Sequence, residues 1–298
     1  VTDYRFITTE SLDNGRIARI VLNRPETRNA QNRGLLVELN DAFLNAEADD
    51  TVRVVILSGA GSMFSSGHDL GSAQHLKETK GGEEEDPSWA VNGGTRLASE
   101  RRYLQEWHHY LEYTRRWREL RKITIAQVHG RLYAGALMLA WCCDFIIADE
   151  TTEFADVVGT RLGMCGVEYF AHPWEFGPRL AKELMLTGDS LTAEQALAIG
   201  MVTRIFPASS LSENTADFAR RIATVPTVTS LLVKEAVNQS MDFMGFRNAI
   251  NACFSLHQIN HGHWAELTGG QRIVGTPEYG VANWRDAPPV RPRDTRAP

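Results

Sequence analysis

One stretch constrains the fold of this chain more than any other: residues 54–70, VVILSGAGSMFSSGHDL. Val54, Val55, Ile56, Leu57 and Ser58 make a short apolar run that glycines then interrupt, the pattern of a buried strand emptying into a loop. Small residues and a glycine at the carboxyl end of a buried parallel strand let backbone N–H groups face a ligand. A glycine-rich turn that only closes a core strand fits the same letters. Residues 123–144, ITIAQVHGRLYAGALMLAWCCD, repeat the design with an apolar strand, a polar turn at His129 and Gly130, and Ala134, Gly135 and Ala136 opening an apolar helix. A helix that begins on small residues has free N–H groups and a partial positive charge at that end. The chain therefore offers two sources of backbone donors.

The rest of the chain follows the same alternation. Segments 4–9 and 16–22 flank Asp13, Asn14 and Gly15, a hairpin signal, and Pro25 ends the second strand. Residues 31–48 place Leu35, Leu36, Leu39, Ala42, Phe43 and Ala46 at helical spacing, and a strand over 51–58 follows. Strand, helix, strand, repeated after residue 122, predicts an α/β fold with parallel pairing. Residues 77–95, rich in glutamate and glycine, predict a solvated loop, and 97–120 a long helix whose aromatic stripe, from Tyr103 to Trp117, suits a core or subunit contact. Thr192 caps a short helix over 192–199, and helices are expected over 209–223, 227–242 and 243–267. The proline-rich end from residue 284 predicts disorder.

Bulk composition narrows the function. A net charge of −6 argues against a nucleic-acid surface, which needs clustered Lys and Arg against phosphate. The four cysteines form no CxxC pair, which suits a reducing compartment. Neither a charged-then-apolar leader nor an apolar run of bilayer length is found, so the expected location is cytoplasmic, with no membrane partner. No GxGxxG or GxxxxGK[ST] motif points to a dinucleotide or nucleoside triphosphate. His257, His261 and His263 lie close together, with the first two one helical turn apart, but without an HExxH arrangement; a solvated or interface helix is expected there and no metal centre.

The motifs together resemble the crotonase superfamily, also called the enoyl-CoA hydratase/isomerase family, over most of the chain. NRPETRNAQN at 23–32 resembles its opening motif, FSSGHDL at 64–70 the first half of its oxyanion hole and HGRLYAGALMLAWCCD at 129–144 the second. LTGDSLTAEQALAIGMVTRIFP at 186–207 resembles the segment that follows the active site. The resemblance implies a spiral ββα core over 1–206 that binds an acyl-CoA and a helical region over 207–270 that assembles a trimer or hexamer. It leaves 271–298 as an extended or disordered tail. It implies an enoyl-CoA hydratase-like lyase of fatty acid metabolism with no separate cofactor, coenzyme A arriving within the substrate; a decarboxylase, isomerase or carbon–carbon hydrolase of the same fold, or an inactive scaffold, is the alternative.

The resemblance also assigns residues. The amides of His68 and Gly135 would hold the thioester oxygen; Ser66, Asp69 and Leu70 would line the same turn, and Arg24, Arg28 and Ala30 the nucleotide end. The family's two glutamates are missing: Met138 stands three residues after Gly135, and Val157 and Val158 occupy the second position. Glu168, after Gly166 and among Val167, Tyr169 and Phe170, is the first candidate to replace them, with an expected upward pKa shift; a helix-capping glutamate is the alternative. Asp156 is second, against a salt-bridged structural aspartate. The imidazole of His68 is able to move protons near neutral pH, and GHD also occurs in methylmalonyl-CoA decarboxylase-like members. Tyr133 and His172 complete the candidates for the pocket.

Overall fold

The computed structural model describes residues 3–80, 99–269 and 287–294. A six-stranded sheet runs β1 (Ile7–Leu12), β2 (Ile17–Leu22), β3 (Val54–Gly59), β4 (Ile123–Val128), β6 (Phe145–Asp149) and β9 (Arg204–Phe206) in spatial order. Only the β1–β2 hairpin is antiparallel; β2 to β9 pair in parallel. Asp13 and Asn14 close the hairpin at φ 51° and 55°, a left-handed conformation that Asp and Asn tolerate through local side-chain hydrogen bonding. A second sheet orders β5 (Arg131–Tyr133), β7 (Glu153–Ala155) and β8 (Leu191–Thr192).

Strand alternation divides the core. Val55 and Leu57 of β3 and Ala126 and Val128 of β4 face α1 (Arg33–Ala48) and the larger core, while Val54, Ile56, Ile123 and Ile125 face a smaller cluster. Leu211, Ala219 and Ala223 of α10 (Leu211–Ala223) close that second face, so the first helix beyond residue 207 is a layer of the sheet packing. The shorter helices α2 (Ala73–Lys80), α3 (Ser99–Glu106), α4 (Tyr113–Arg118), α5 (Gly135–Trp141), α6 (Val158–Leu162), α7 (His172–Glu175), α8 (Pro178–Thr187) and α9 (Ala193–Ala198) lie between strands or on the second sheet. Two long helices, α11 (Thr227–Phe243) and α12 (Phe246–Leu267), follow α10.

Local chemistry accounts for several boundaries. Thr192 caps α9 as expected, and Gln195 completes a capping box with it. Asn32, before α1, makes no cap with its own side chain; the Glu78 carboxylate of α2 instead accepts from the Arg33 amide at 2.8 Å, the Gly34 amide at 3.3 Å and Asn32 Nδ2 at 2.6 Å. A carboxylate on those free amides satisfies them and complements the helix dipole. The helix expected over 97–120 is interrupted by a π-helical turn, Trp107–Glu112, between α3 and α4; residues 97 and 98 lie outside the described residues. The loop expected over 77–95 lies outside them too, except for 77–80, which end α2. Within the tail, residues 287–294 are extended rather than disordered. Pro292 pairs in parallel with Ser190, the Arg293 amide donates to the Ser190 carbonyl at 2.8 Å, its guanidinium binds Glu183, and its carbonyl accepts from Gln195. All four cysteines are free thiols, and no helix among the described residues is long and apolar enough to cross a membrane.

Candidate active site

The loop after β3 is held open on one side and pinned on the other. Its residues 65–69 lie between the chain at Gln31 and strand β5: Ser65 bridges Leu132, and His68 bridges Gln31. The Gln31 amide donates to the Gly67 carbonyl at 2.8 Å, and the Asp69 amide donates to the Gln31 carbonyl at 3.0 Å. Alternation along an extended chain then turns the amide of His68, between those two, to the opposite side. Helix α5 begins beside this loop at Gly135, whose opening N–H is an orphan of the helix end.

Two glycines permit the approach. A Cβ on Gly67, which has φ 92°, would stand 2.6 Å from the Tyr133 carbonyl oxygen and 3.1 Å from the Gly135 nitrogen. A Cβ on Gly135 would stand 2.5 Å from Cε1 and 2.7 Å from Nδ1 of the His68 ring. Ala134, between Tyr133 and Gly135, has φ 48° and ψ −118°, a strained conformation for a residue with a side chain, and it aims the start of α5 at the loop.

Two groups hold the His68 side chain. Its Nε2 lies 2.9 Å from Oε2 of Glu168, and its ring stacks on Tyr110 with centroids 3.9 Å apart. Tyr110 belongs to the π-helical turn, which shifts the helix register and brings this ring over the imidazole. An ionised carboxylate only accepts, so the hydrogen of the neutral imidazole sits on Nε2 and Nδ1 carries the lone pair. Nδ1 is buried and has no hydrogen-bond partner among the described residues.

The expected upward shift of Glu168 is overturned. Burial does push its pKa up, but the imidazoles of His68 and His257 and the hydrogen bond from His68 outweigh it and hold the carboxyl at about 2. The neighbours Val167, Tyr169 and Phe170 were the local setting; the groups that decide its charge come from elsewhere in the chain. The helix face of His257 and His261 is likewise not simply solvated: His257 is buried, its Nε2 3.5 Å from Glu168 Oε1 and 3.0 Å from His261 Nε2. His263 stands apart, its ring beside Trp264.

Asp156 and His172 form a second pair, Oδ2 to Nε2 at 2.7 Å, with side chains 1% and 0% exposed. Asp156 also accepts from the Val158 amide, and Trp141, Phe170 and Phe176 surround the His172 ring. Arg24 is buried rather than presented outward: it binds Asp69 Oδ2 at 2.9 Å and the Ala30 carbonyl. Burial would raise the pKa of Asp69, but hydrogen bonds from Ser72, Arg24 and Gly71 lower it. Arg28 is exposed in a left-handed turn, and its carbonyl accepts from the Ser66 amide. Leu70 is exposed at the mouth of the loop, and Tyr133 is half-buried at the end of β5. Asn29 ties the 23–32 segment to the loop, its Nδ2 within 3.0 Å of the carbonyls of Ala60, Met63 and Phe64. Met138, Val157 and Val158 are buried in the core, so no carboxylate stands at those positions.

Sequence reasoning missed Tyr110, Glu106 and Asn29. The signal for Asn29 was present, an Asn inside a turn motif; for Tyr110 it was masked by an aromatic stripe that serves the core elsewhere.

The family model for enoyl-CoA hydratase/isomerase matches residues 13–91 and 92–260. EchA13 of Mycobacterium tuberculosis (strain ATCC 25618 / H37Rv), whose assigned name is that of an enoyl-CoA hydratase, is 60% identical over 296 residues, covering 99% of this chain and 93% of that protein. Crystal structures of probable enoyl-CoA hydratases from Mycobacterium smegmatis and Mycobacterium thermoresistibile are each 40% identical and cover 89% of this chain and 98% of theirs, with TM-scores of 0.78 and 0.79. The chain belongs to the enoyl-CoA hydratase/isomerase family, and is an enoyl-CoA hydratase-like member of the crotonase fold.

Proposed function

We propose that this chain adds water to a 2-enoyl-CoA, with the amides of His68 and Gly135 as an oxyanion hole and the His68–Glu168 pair in place of the family's two glutamates. The observation that carries the reading is the His68 imidazole: Nε2 is fixed on Glu168 and the unpartnered Nδ1 lies beside the start of α5. In this reading Nδ1 takes a proton from water as its oxygen bonds to the β carbon. The double-bond electrons move to the thioester oxygen, where two amides stabilise the enolate by about 3 kcal/mol or more each. The imidazolium, steadied by the Glu168 carboxylate, then returns the proton to the α carbon. Ser66, Asp69, Leu70 and Tyr133 shape the pocket around the acyl end, and Arg28 is placed to meet the nucleotide end. Arg24 and Ala30 act through the turn they brace.

A second reading, isomerisation or decarboxylation through the same enolate, is favoured by the apolar residues at 138 and 157, because one base can serve a reaction that orients no water. Loss of the enone absorbance of crotonyl-CoA separates the two. Hydration requires that the wild type bleach it and that Glu168→Gln slow this by about 10². No bleaching, with double-bond migration in a 3-enoyl-CoA or carbon dioxide release from a carboxyacyl-CoA, selects the second.

The trimer or hexamer and the cytoplasmic location belong to the same proposal. Val228, Leu232, Val237, Phe243, Met244 and Ile259 leave an apolar surface on α11 and α12 that a second copy would cover.

A further inference from the structure

A cluster next to the proposed site contains more lone pairs than protons to share among them. His257 and His261 lie four residues apart on one face of α12, and both face Glu106, the last residue of α3. His257 Nε2 is 3.0 Å from His261 Nε2 and 3.8 Å from Glu106 Oε2, and His261 Nε2 is 3.3 Å from Glu106 Oε1. One ligand atom from each of the three fits within 4.8 Å of the others. His257 Nδ1 lies 2.8 Å from the Gly166 carbonyl, which only accepts, so the proton of a neutral His257 is committed there and Nε2 presents its lone pair to the cluster. Gln258 Nε2 donates to Glu106 Oε2 at 2.6 Å and fixes that carboxylate. The N–H of a neutral His261 can satisfy one of its neighbours and leaves the others facing each other.

We infer that Glu106, His257 and His261 bind a divalent transition-metal ion of the zinc class. Two imidazoles and a carboxylate are a ligand set zinc accepts, and atoms about 2.1 Å from a tetrahedral ion stand roughly 3.4 Å apart, close to the separations across His261. The backbone carbonyl on His257 and the amide on Glu106 are the outer contacts that orient metal-binding side chains. Glu168 Oε1, 3.5 Å from His257 Nε2, is the next oxygen, and its other oxygen holds His68. The ion would stand one carboxylate away from the imidazole to which the proposed function assigns proton transfer. The metal site itself does not depend on that assignment.

The test uses the full-length, untagged chain, stripped with a chelator and dialysed, with binding read by calorimetry for Zn²⁺ and by visible absorbance for Co²⁺. One equivalent per chain is expected, with affinity lowered about 100-fold in His261→Ala and in Glu106→Gln and unchanged in His263→Ala. His261 is partly exposed, so its truncation preserves the fold, and circular dichroism checks this. Failure of the wild type to take up an equivalent, or equal binding by both variants and the wild type, overturns the site. Because binding is read without substrate, this outcome is independent of whether the chain hydrates crotonyl-CoA.

Discussion

The chain contains two histidine–carboxylate pairs of nearly identical make-up. In each, a carboxylate oxygen meets Nε2, at 2.9 Å in His68–Glu168 and 2.7 Å in His172–Asp156, and in each Nδ1 has no hydrogen-bond partner among the described residues. They differ in surroundings. His68 lies against the backbone of Gly135 at the meeting of two loops and is 13% exposed, whereas His172 is walled by Trp141, Phe170 and Phe176 and fully buried. A proton acceptor is useful where substrate and water reach it; sealed among aromatic rings the same pair ties a loop to a helix. Side-chain chemistry alone does not separate the pair to which the proposed function assigns proton transfer from the pair that is sealed.

The sharpest way to break this contrast is His68→Ala. Turnover per folded molecule should fall by about 10² to 10⁴, since general acid–base groups contribute on that scale, and the melting temperature should fall as well because the buried Glu168 carboxylate loses its nearest partner. Unchanged turnover would place the chemistry elsewhere. Asp156→Ala should act on stability alone: it leaves a buried imidazole unpaired and costs about 3 kcal/mol or more of stability, with turnover per folded molecule retained. A variant that melts normally but has lost activity would move this pair into the site. The smallest effect separates the pairs by pH. Glu168 is held at about 2 when folded, against ~4.3 for an ordinary glutamate. Its ionised form therefore contributes stability that is complete above about pH 4.3 and is lost as pH falls toward 2, on the order of 3 kcal/mol. Urea midpoints measured across that window should decline less steeply in Glu168→Gln than in the wild type.

What the sequence made legible was what short-range physics decides. The hairpin at Asp13 and Asn14, helix α1 and the three carboxyl-terminal helices follow from turn residues and apolar spacing, and they appear within a few positions of their expected bounds. The close approach of residues 67 and 135 was legible for the same reason, because the glycines mark it. The charge state of Glu168 was not, because its partners His68 and His257 are remote in the chain and only packing brings them together. Tyr110 escaped notice because a π-helical turn shifts the register that a 3.6-residue period assumes. Asp156 and His172 were candidates for the same pocket as Glu168, and nothing in their local letters says that they choose each other.

The carboxylate of Glu78 closes the amino end of α1, and two residues before that helix Gln31 holds the strand that presents the amide of residue 68. A side-chain carboxylate and then a pair of backbone hydrogen bonds thus couple α2 to the loop of residues 65–69. On the proposed function, a displacement of α2 would travel to the amide assigned to the thioester oxygen, so the footing of that helix and the aim at the reacting oxygen would change together.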